Sequence, residues 1–324
     1  MSDLSATYMG LKLANPVILG SSGLTSSAEG VRKAFDAGAG AVVLKSLFEE
    51  QLRKELGSVD AGPWSHPEAE AFLSRMGMNE GADEYLKLID EAKKDGRGPV
   101  IASVNCVGEA FWMDFAGRVE SAGADALELN LGQVPDNPNE DAAAVESRLE
   151  RLVRDVRSSV RIPVAVKLGY GYTALGHLIK RLAKAGAQGA VLFNRFYKLD
   201  VDLDAMSLSS GPARSGPESY HDSLRWIALL DGRVGAELCA SGGVHDGATV
   251  LKLVAAGAHA VQVCSAAYSK GYGVISSLLD DIRSWMSSRG IASLDELRGR
   301  LARRNSEHPE LYGRLQYLEA LHTR

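Results

Sequence analysis

Cysteine is scarce in this 324-residue chain: Cys106, Cys239 and Cys264 are the only three, and no two form a CxxC pair. That excludes a disulfide framework, a cysteine zinc site and a self-contained iron–sulfur cluster, and it points to a reducing, cytoplasmic compartment. Aromatic residues make up only 6%. No apolar run approaches the ~20 residues of a membrane span. The opening MSDLSATYMGLKLANP lacks the basic and apolar regions of a signal peptide. Excess positive charge is also missing. The 36 Lys and Arg face 41 Asp and Glu, leaving −5, a poor balance for broad nucleic-acid binding. What is abundant is apolar residue, 45%, enough for a sizeable core, and glycine, 34 positions. That is above the usual ~7% and predicts tight turns or close backbone approaches to a ligand.

Short β-branched runs alternate with helical patterns along the chain. The runs are Pro16–Gly20, Ala41–Ser46, Pro99–Val104, Ala126–Leu131, Pro163–Leu168, Ala190–Asn194, Glu237–Ser241 and Ala260–Ser265. Each reads as a parallel strand buried on both faces. The helical patterns are Glu29–Ala37, Asp83–Lys94, Trp112–Ala122, Val145–Val160, Leu175–Ala185, Ser223–Leu230, Gly247–Ala256 and Val274–Arg289. Strict alternation of eight and eight predicts a (β/α)8 TIM barrel, with a doubly wound open sheet as the rival. An Ala-Gly-Ala string at 37–39, 122–124, 185–187 and 256–258 precedes every even strand. Its glycine suits a helix C-terminus with positive φ.

The barrel is expected over residues 1–290, with a C-terminal helical extension over 291–324. In the extension, Ser293-Leu-Asp-Glu296 reads as a capping box for a helix. The arginines Arg298, Arg300, Arg303 and Arg304 read as a solvated face or subunit contact. A last helix is expected after Pro309. Two long connections, 47–82 and 195–222, belong on the C-terminal face, where barrel active sites lie.

Polar residues collect at the strand ends. They are Lys45-Ser46, Asn105-Cys106, Asn130, Lys167, Asn194-Arg195, Ser241-Gly242-Gly243 and Cys264-Ser265. A lysine inside an apolar run is costly to bury without a partner. A glycine-rich turn before a helix, at the seventh strand, suits phosphate. The residues alone thus predict a phosphate-bearing ligand bordered by lysines and amides. No metal is expected.

The motifs LANPVILGSSG, VLKS at Lys45, RMGMNEG at Arg75–Gly81, LELNL at Asn130, VAVKL at Lys167, LFN at Asn194, SGGVHDG at Ser241 and VQVCSAAY at Val261 follow in order. In this the chain resembles the FMN-dependent dihydroorotate dehydrogenases of class 1. It is most similar to their dihydroorotate dehydrogenase-like group, which shares the ending HPELYGRLQYLEAL. The resemblance covers about residues 5–300. It implies an FMN-dependent oxidoreductase of pyrimidine metabolism and a homodimer, with a separate electron-acceptor protein as a further partner. It places FMN against Ser21, Lys45, Ser46, Asn105, Asn130, Lys167 and Asn194, and its phosphate against Gly216, Gly242, Gly243, Cys264 and Ser265. It places substrate against Ser74, Arg75, Met76, Gly77, Asn130, Asn194 and Arg195.

The chain departs from the family pattern in three places. Gln133 stands where class 1 enzymes carry a loop cysteine as base, and an amide is no general base at ordinary pH. Ser74-Arg75 replaces Asn-Ser. Arg195 replaces a small hydroxyl residue. Two added arginines would favour an anionic substrate. With Lys45, Asn130 and Lys167, the candidate catalytic positions are Gln133 and Cys106; Tyr170, Tyr172, Tyr197 and His66 are further proton-transfer candidates. A cation close to Tyr170 and Tyr172 is expected to lower their pKa. Two other readings are a flavin-free lyase using Lys167 as Schiff-base nucleophile, and a flavin-binding protein that has another substrate or no activity.

Overall fold

A computed structural model describes residues 2–48, 81–105, 112–132, 135–195 and 198–322. The chain opens with an antiparallel hairpin, β1 (Ala6–Tyr8) and β2 (Leu11–Leu13). Eight parallel strands then close a barrel: β3 (Val17–Leu19), β4 (Ala41–Val43), β6 (Val100–Asn105), β7 (Ala126–Asn130), β8 (Val164–Leu168), β9 (Gly189–Leu192), β12 (Glu237–Ser241) and β13 (Ala260–Val263). The pairings β13–β3 and β4–β6 close the ring, which settles the barrel against the open sheet. A two-residue piece, β5 (Leu47–Phe48), runs beside the upper half of β6.

Helices follow the strands: α1 (Ala28–Asp36), α2 (Ala82–Lys93), α3 (Trp112–Ser121), α4 (Ala142–Ser159), α5 (Leu175–Ala185), α6 (Tyr220–Leu230), α7 (Gly247–Ala256), a short α8 (Ser265–Lys270), α9 (Val274–Arg289) and α10 (Tyr312–His322). The four Ala-Gly-Ala glycines all take positive φ, from +94° at Gly38 to +120° at Gly257. Their helices stop because only glycine enters this region without strain.

Inside the barrel, side chains stack in layers. Ile18, Val43, Ile101, Ala126, Ala165, Val191, Cys239 and Ala260 form the lower, apolar layer. The β1–β2 hairpin closes it from below, burying Tyr8, Met9 and Leu13. Each buried Ile, Val, Leu or Met among them contributes about 1.5–3 kcal/mol. Strand alternation then puts Glu128, Lys167 and Gln262 inside as well, two residues further along.

In the 195–222 connection, β10 (Leu199–Asp202) and β11 (Ser207–Ser210) pair as an exposed antiparallel hairpin. The C-terminal segment departs from expectation in one place. The Ser293 capping box is present but opens only a 3-10 turn, Leu294–Glu296. The chain instead turns at Gly299 and docks on α7, where the Gly299 and Leu301 N–H groups donate to the Val254 and Ala255 carbonyls. Three of the four arginines also make contacts within the chain, while Arg300 and Arg304 stay exposed as a solvated face requires. Arg304 pairs with buried Asp231 at 2.7 Å, Arg298 pairs with Asp295 at 2.7 Å, and Arg303 donates to the Pro309 carbonyl.

Arg298 and Arg304 also border His259. Burial, reinforced by these two arginines, pushes its imidazole down to about 4 from 6.5. The unfolded chain therefore binds the extra proton between those values. The stability that neutral His259 supports is full above pH 6.5 and is lost as pH falls toward 4, about 3 kcal/mol in all. Urea denaturation at pH 7 and pH 4.5 should show a smaller loss in His259→Gln than in the wild type; equal losses would reject this assignment.

Candidate active site

The upper mouth of the barrel holds the predicted polar set because of register. Asn105 is the cross-strand partner of Asn130, and Asn130 is the partner of Lys167. Directly opposed residues on adjacent strands point to the same face. Asn194, just past β9, donates from Nδ2 to Asn130 Oδ1 at 2.9 Å. All three asparagines surround Gly132. A Cβ there would stand 3.0 Å from Asn194 Nδ2 and 3.3 Å from Asn130 Oδ1. Glycine at 132 thus leaves the amides room, at the start of the segment that carries Gln133.

Lys167 is buried and held from its inner side. Its Nζ donates to Gln262 Oε1 at 2.8 Å and lies 3.5 Å from Glu128 Oε1. Gly20 packs on this arrangement, since a Cβ there would lie 3.3 Å from Gln262 Oε1. On the neighbouring strand ends, hydroxyls link in a chain. Ser21 Oγ lies 3.0 Å from Ser46 Oγ, which lies 2.8 Å from Ser103 Oγ. Lys45 is half-buried at the end of β4, its N–H donating to the Thr25 carbonyl.

From Lys167 a cleft of about 510 Å³ runs outward to the β12 and β13 ends, within the usual range for small-molecule sites. Asn194, Arg195, Ser21, Gly242, Gly243, Cys264 and Ser265 border it, as do Arg214 and Ser215. Gly242 and Gly243 take φ of +96° and +71°, a left-handed turn that glycine enters without strain. Ser215 braces the turn. Its Oγ accepts from the Gly243 N–H at 3.1 Å and donates to Ser265 Oγ at 2.9 Å. Gly216 lies next to Ser215 and opens a 3-10 turn, Pro217–Ser219. Arg214 stacks over the Tyr268 ring, 5.4 Å from its centroid, and adds a cation to this end.

Arg195 lines the cleft while donating to the Pro212 carbonyl. The tyrosines correct an expectation. Burial raises the Tyr170 pKa, with Asp222 adding to it and Arg195 opposing. Burial, then Glu146, pushes Tyr172 up to about 12. Lys167 does not activate them, because it is turned inward onto Gln262 and Glu128. Burial also raises the Cys264 thiol against the pull of Lys167 and Arg214. Ser74, Arg75, Met76, Gly77, His66, Cys106, Gln133 and Tyr197 lie outside the described residues. Glu128, Gln262, Ser103, Arg214 and Ser215 escaped sequence reasoning. The first two carried a signal, since each is a polar residue inside an apolar strand run.

These features define a class: a parallel β/α barrel with a buried lysine below its upper mouth and a cleft running from it to a glycine turn after β12. Residues 3–286 match the family model described as dihydroorotate dehydrogenase. The chain is 31% identical over 307 residues to a protein of Aeropyrum pernix named "Putative dihydroorotate dehydrogenase A (fumarate)", covering 92% of this chain and 97% of the relative. It is 27% identical over 312 residues to the catalytic subunit of dihydroorotate dehydrogenase B (NAD(+)) of Thermoplasma volcanium, covering 92% and 98%. It is 25% identical over 351 residues to the chloroplastic dihydropyrimidine dehydrogenase (NADP(+)) of Arabidopsis thaliana, covering 96% and 80%. The chain belongs to the dihydroorotate dehydrogenase family and is an oxidoreductase of the type that acts on CH–CH groups. Among the described residues, no helix is long and apolar enough to cross a membrane.

Proposed function

We propose that the chain is an FMN-dependent oxidoreductase that takes hydride from a small anionic or amide-bearing dihydropyrimidine, dihydroorotate or a close relative. The observation that carries this reading is the convergence of Asn105, Asn130, Asn194 and Lys167 at one end of a cleft whose other end is the Gly242–Gly243 turn. The residues present suit FMN. Lys167 would hold the negative charge of the reduced ring, and Ser21, Lys45, Ser46 and Asn105 its polar edges. Gly242, Gly243, Ser265 and Arg214 would hold the phosphate. When bound, FMN supplies the hydride acceptor.

Asn130 and Asn194 each carry a donor and an acceptor, the complement of a cyclic amide edge. Their mutual hydrogen bond fixes which groups face outward. Arg195 at the rim offers a fork for a substrate carboxylate. A Schiff-base lyase is disfavoured. Lys167 sits as an ammonium between Gln262 and Glu128, and an ammonium has no lone pair for attack on a carbonyl. Gln133 favours a second reading, a flavoprotein whose substrate needs no cysteine base.

Purified protein is expected to be yellow, to release FMN on denaturation, and to bleach on anaerobic addition of dihydroorotate. A colourless chain that takes up no added FMN overturns the cofactor assignment. A flavin-loaded chain that dihydroorotate leaves yellow rejects that substrate and directs the screen to related dihydropyrimidines. We also read the chain as a homodimer. The β10–β11 hairpin supports this by exposing Leu199, Val201, Leu203, Met206 and Leu208, each more than half accessible. Sedimentation equilibrium at a monomer mass would reject it.

A further inference from the structure

We propose that Glu128 is a positioning residue of the cofactor site: its buried carboxylate, directly and through Gln262, holds the Lys167 ammonium at the cleft floor and sets the net charge that the flavin ring meets. The inference rests on the FMN reading above.

Glu128 is 1% exposed, deep in the barrel, and Lys167 is 8% exposed one strand away. A carboxylate so placed needs both charge and hydrogen-bond partners. Gln262 Nε2 donates to Glu128 Oε2 at 2.5 Å, while Gln262 Oε1 accepts from Lys167 Nζ at 2.8 Å. This chemistry admits one orientation of the amide. Flipped, its oxygen would face the carboxylate and its NH2 the ammonium. Gln262 is therefore a polarised bridge between the two charges, and Gly20 closes over it.

The second carboxylate oxygen, Oε1, has no hydrogen-bond partner among the described residues and lies 3.5 Å from Lys167 Nζ. It faces the lysine at ion-pair distance. Tyr8 and Cys239 beside the pair add no charge of their own. Burial first, then Cys239, Glu128 and Glu237, raises the Tyr8 hydroxyl well above its ordinary value. Burial and Glu128 likewise raise the Cys239 thiol, against Lys167. So the ammonium offered to the ring is already part-neutralised from below. A lysine held this way accepts one further anionic contact from above without carrying a full uncompensated charge.

The test has two arms, both on the full chain. First, melting temperatures of Glu128→Gln, Lys167→Met and the double variant are compared, with and without FMN. Each single change is expected to lower the melting temperature, and the double variant to recover most of the loss. Additive losses, or a double variant that fails to fold, overturn the pairing. Second, the flavin midpoint potentials of wild type and Glu128→Gln are compared. Removing the carboxylate leaves the ammonium unopposed, so the potential should shift upward. The reduced form should be favoured on the order of tenfold over the wild type. A wild-type potential in Glu128→Gln overturns the proposal, since a merely structural role would leave it unmoved. A wild-type chain that binds no FMN overturns the cofactor reading and the charge-setting role with it, while the melting cycle still reports whether Glu128 and Lys167 are paired.

Discussion

Replacing Lys167 with methionine is expected to slow flavin reduction by substrate about 10²–10³-fold, the effect of removing one preorganised charge-stabilising donor. The same change should destabilise the fold by about 3–5 kcal/mol, because it leaves Glu128 buried without its counter-charge. The two effects have different origins. The first concerns the negative charge that develops on the reduced ring. The second concerns a carboxylate already present in the resting protein. Stopped-flow reduction under anaerobic conditions reads the first, and urea denaturation reads the second. A variant that keeps wild-type reduction rates would remove Lys167 from the mechanism. One that keeps wild-type stability would show that the Glu128 pair carries no net stabilisation.

Gly243→Ala is the second large expectation. A Cβ at this position would stand 2.2 Å from the Tyr220 backbone nitrogen and 2.8 Å from the Ser219 carbonyl carbon. Both are main-chain atoms, so the contact cannot be relieved by a rotamer change. The residue also has φ of +71°, which alone costs an alanine about 1–2 kcal/mol. The turn must shift away from α6, and the Gly243 N–H must leave Ser215 Oγ. We expect FMN affinity to fall by at least about 100-fold, roughly the loss of two hydrogen bonds to a charged group. Titration of the flavin-stripped variant with FMN measures this. The control is Gly242→Ala. A Cβ at Gly242 meets no protein atom within 4 Å, so its penalty within the protein is limited to the positive φ of +96°. Equal losses in both variants would refute the steric argument.

Much of the architecture was legible in the chain. Seven of the eight barrel strands fall within two residues of their expected limits, β4 ends three residues early, and α5, α7 and α9 match theirs at both ends. The reason is local. Short apolar runs between capped amphipathic helices admit few arrangements, and the repeated glycine marks the helix ends. The elements that escaped are those whose stability comes from elsewhere. The β1–β2 hairpin is three residues a side and is held by plugging the barrel floor. The Ser293 turn has a genuine cap, yet docking on α7 overrides propagation into a helix.

The candidate site divides in the same way. Lys167 stood out because a charge in an apolar strand demands a partner. The partner could not be named from sequence, because Glu128, Gln262 and Lys167 lie on three strands separated by up to 134 positions. Arg214 and Ser215 were hidden in a loop, where polar residues are unremarkable until the chain brings them against Ser265 and Tyr268. Tyr170 and Tyr172 were misjudged because nearness along the chain to Lys167 is not nearness of charge. The strand's alternation turns the lysine into the barrel.

The sequence by itself determined the barrel, its closing glycines, the family and the identities at the strand ends, since each follows from local patterning or short motifs. Only the tertiary structure decided that the asparagines converge on Gly132, that Lys167 is paired through Gln262 to Glu128, and that the Gly242–Gly243 turn is braced by Ser215. These facts depend on barrel register and closure, which bring together strands that no local interaction along the chain can align.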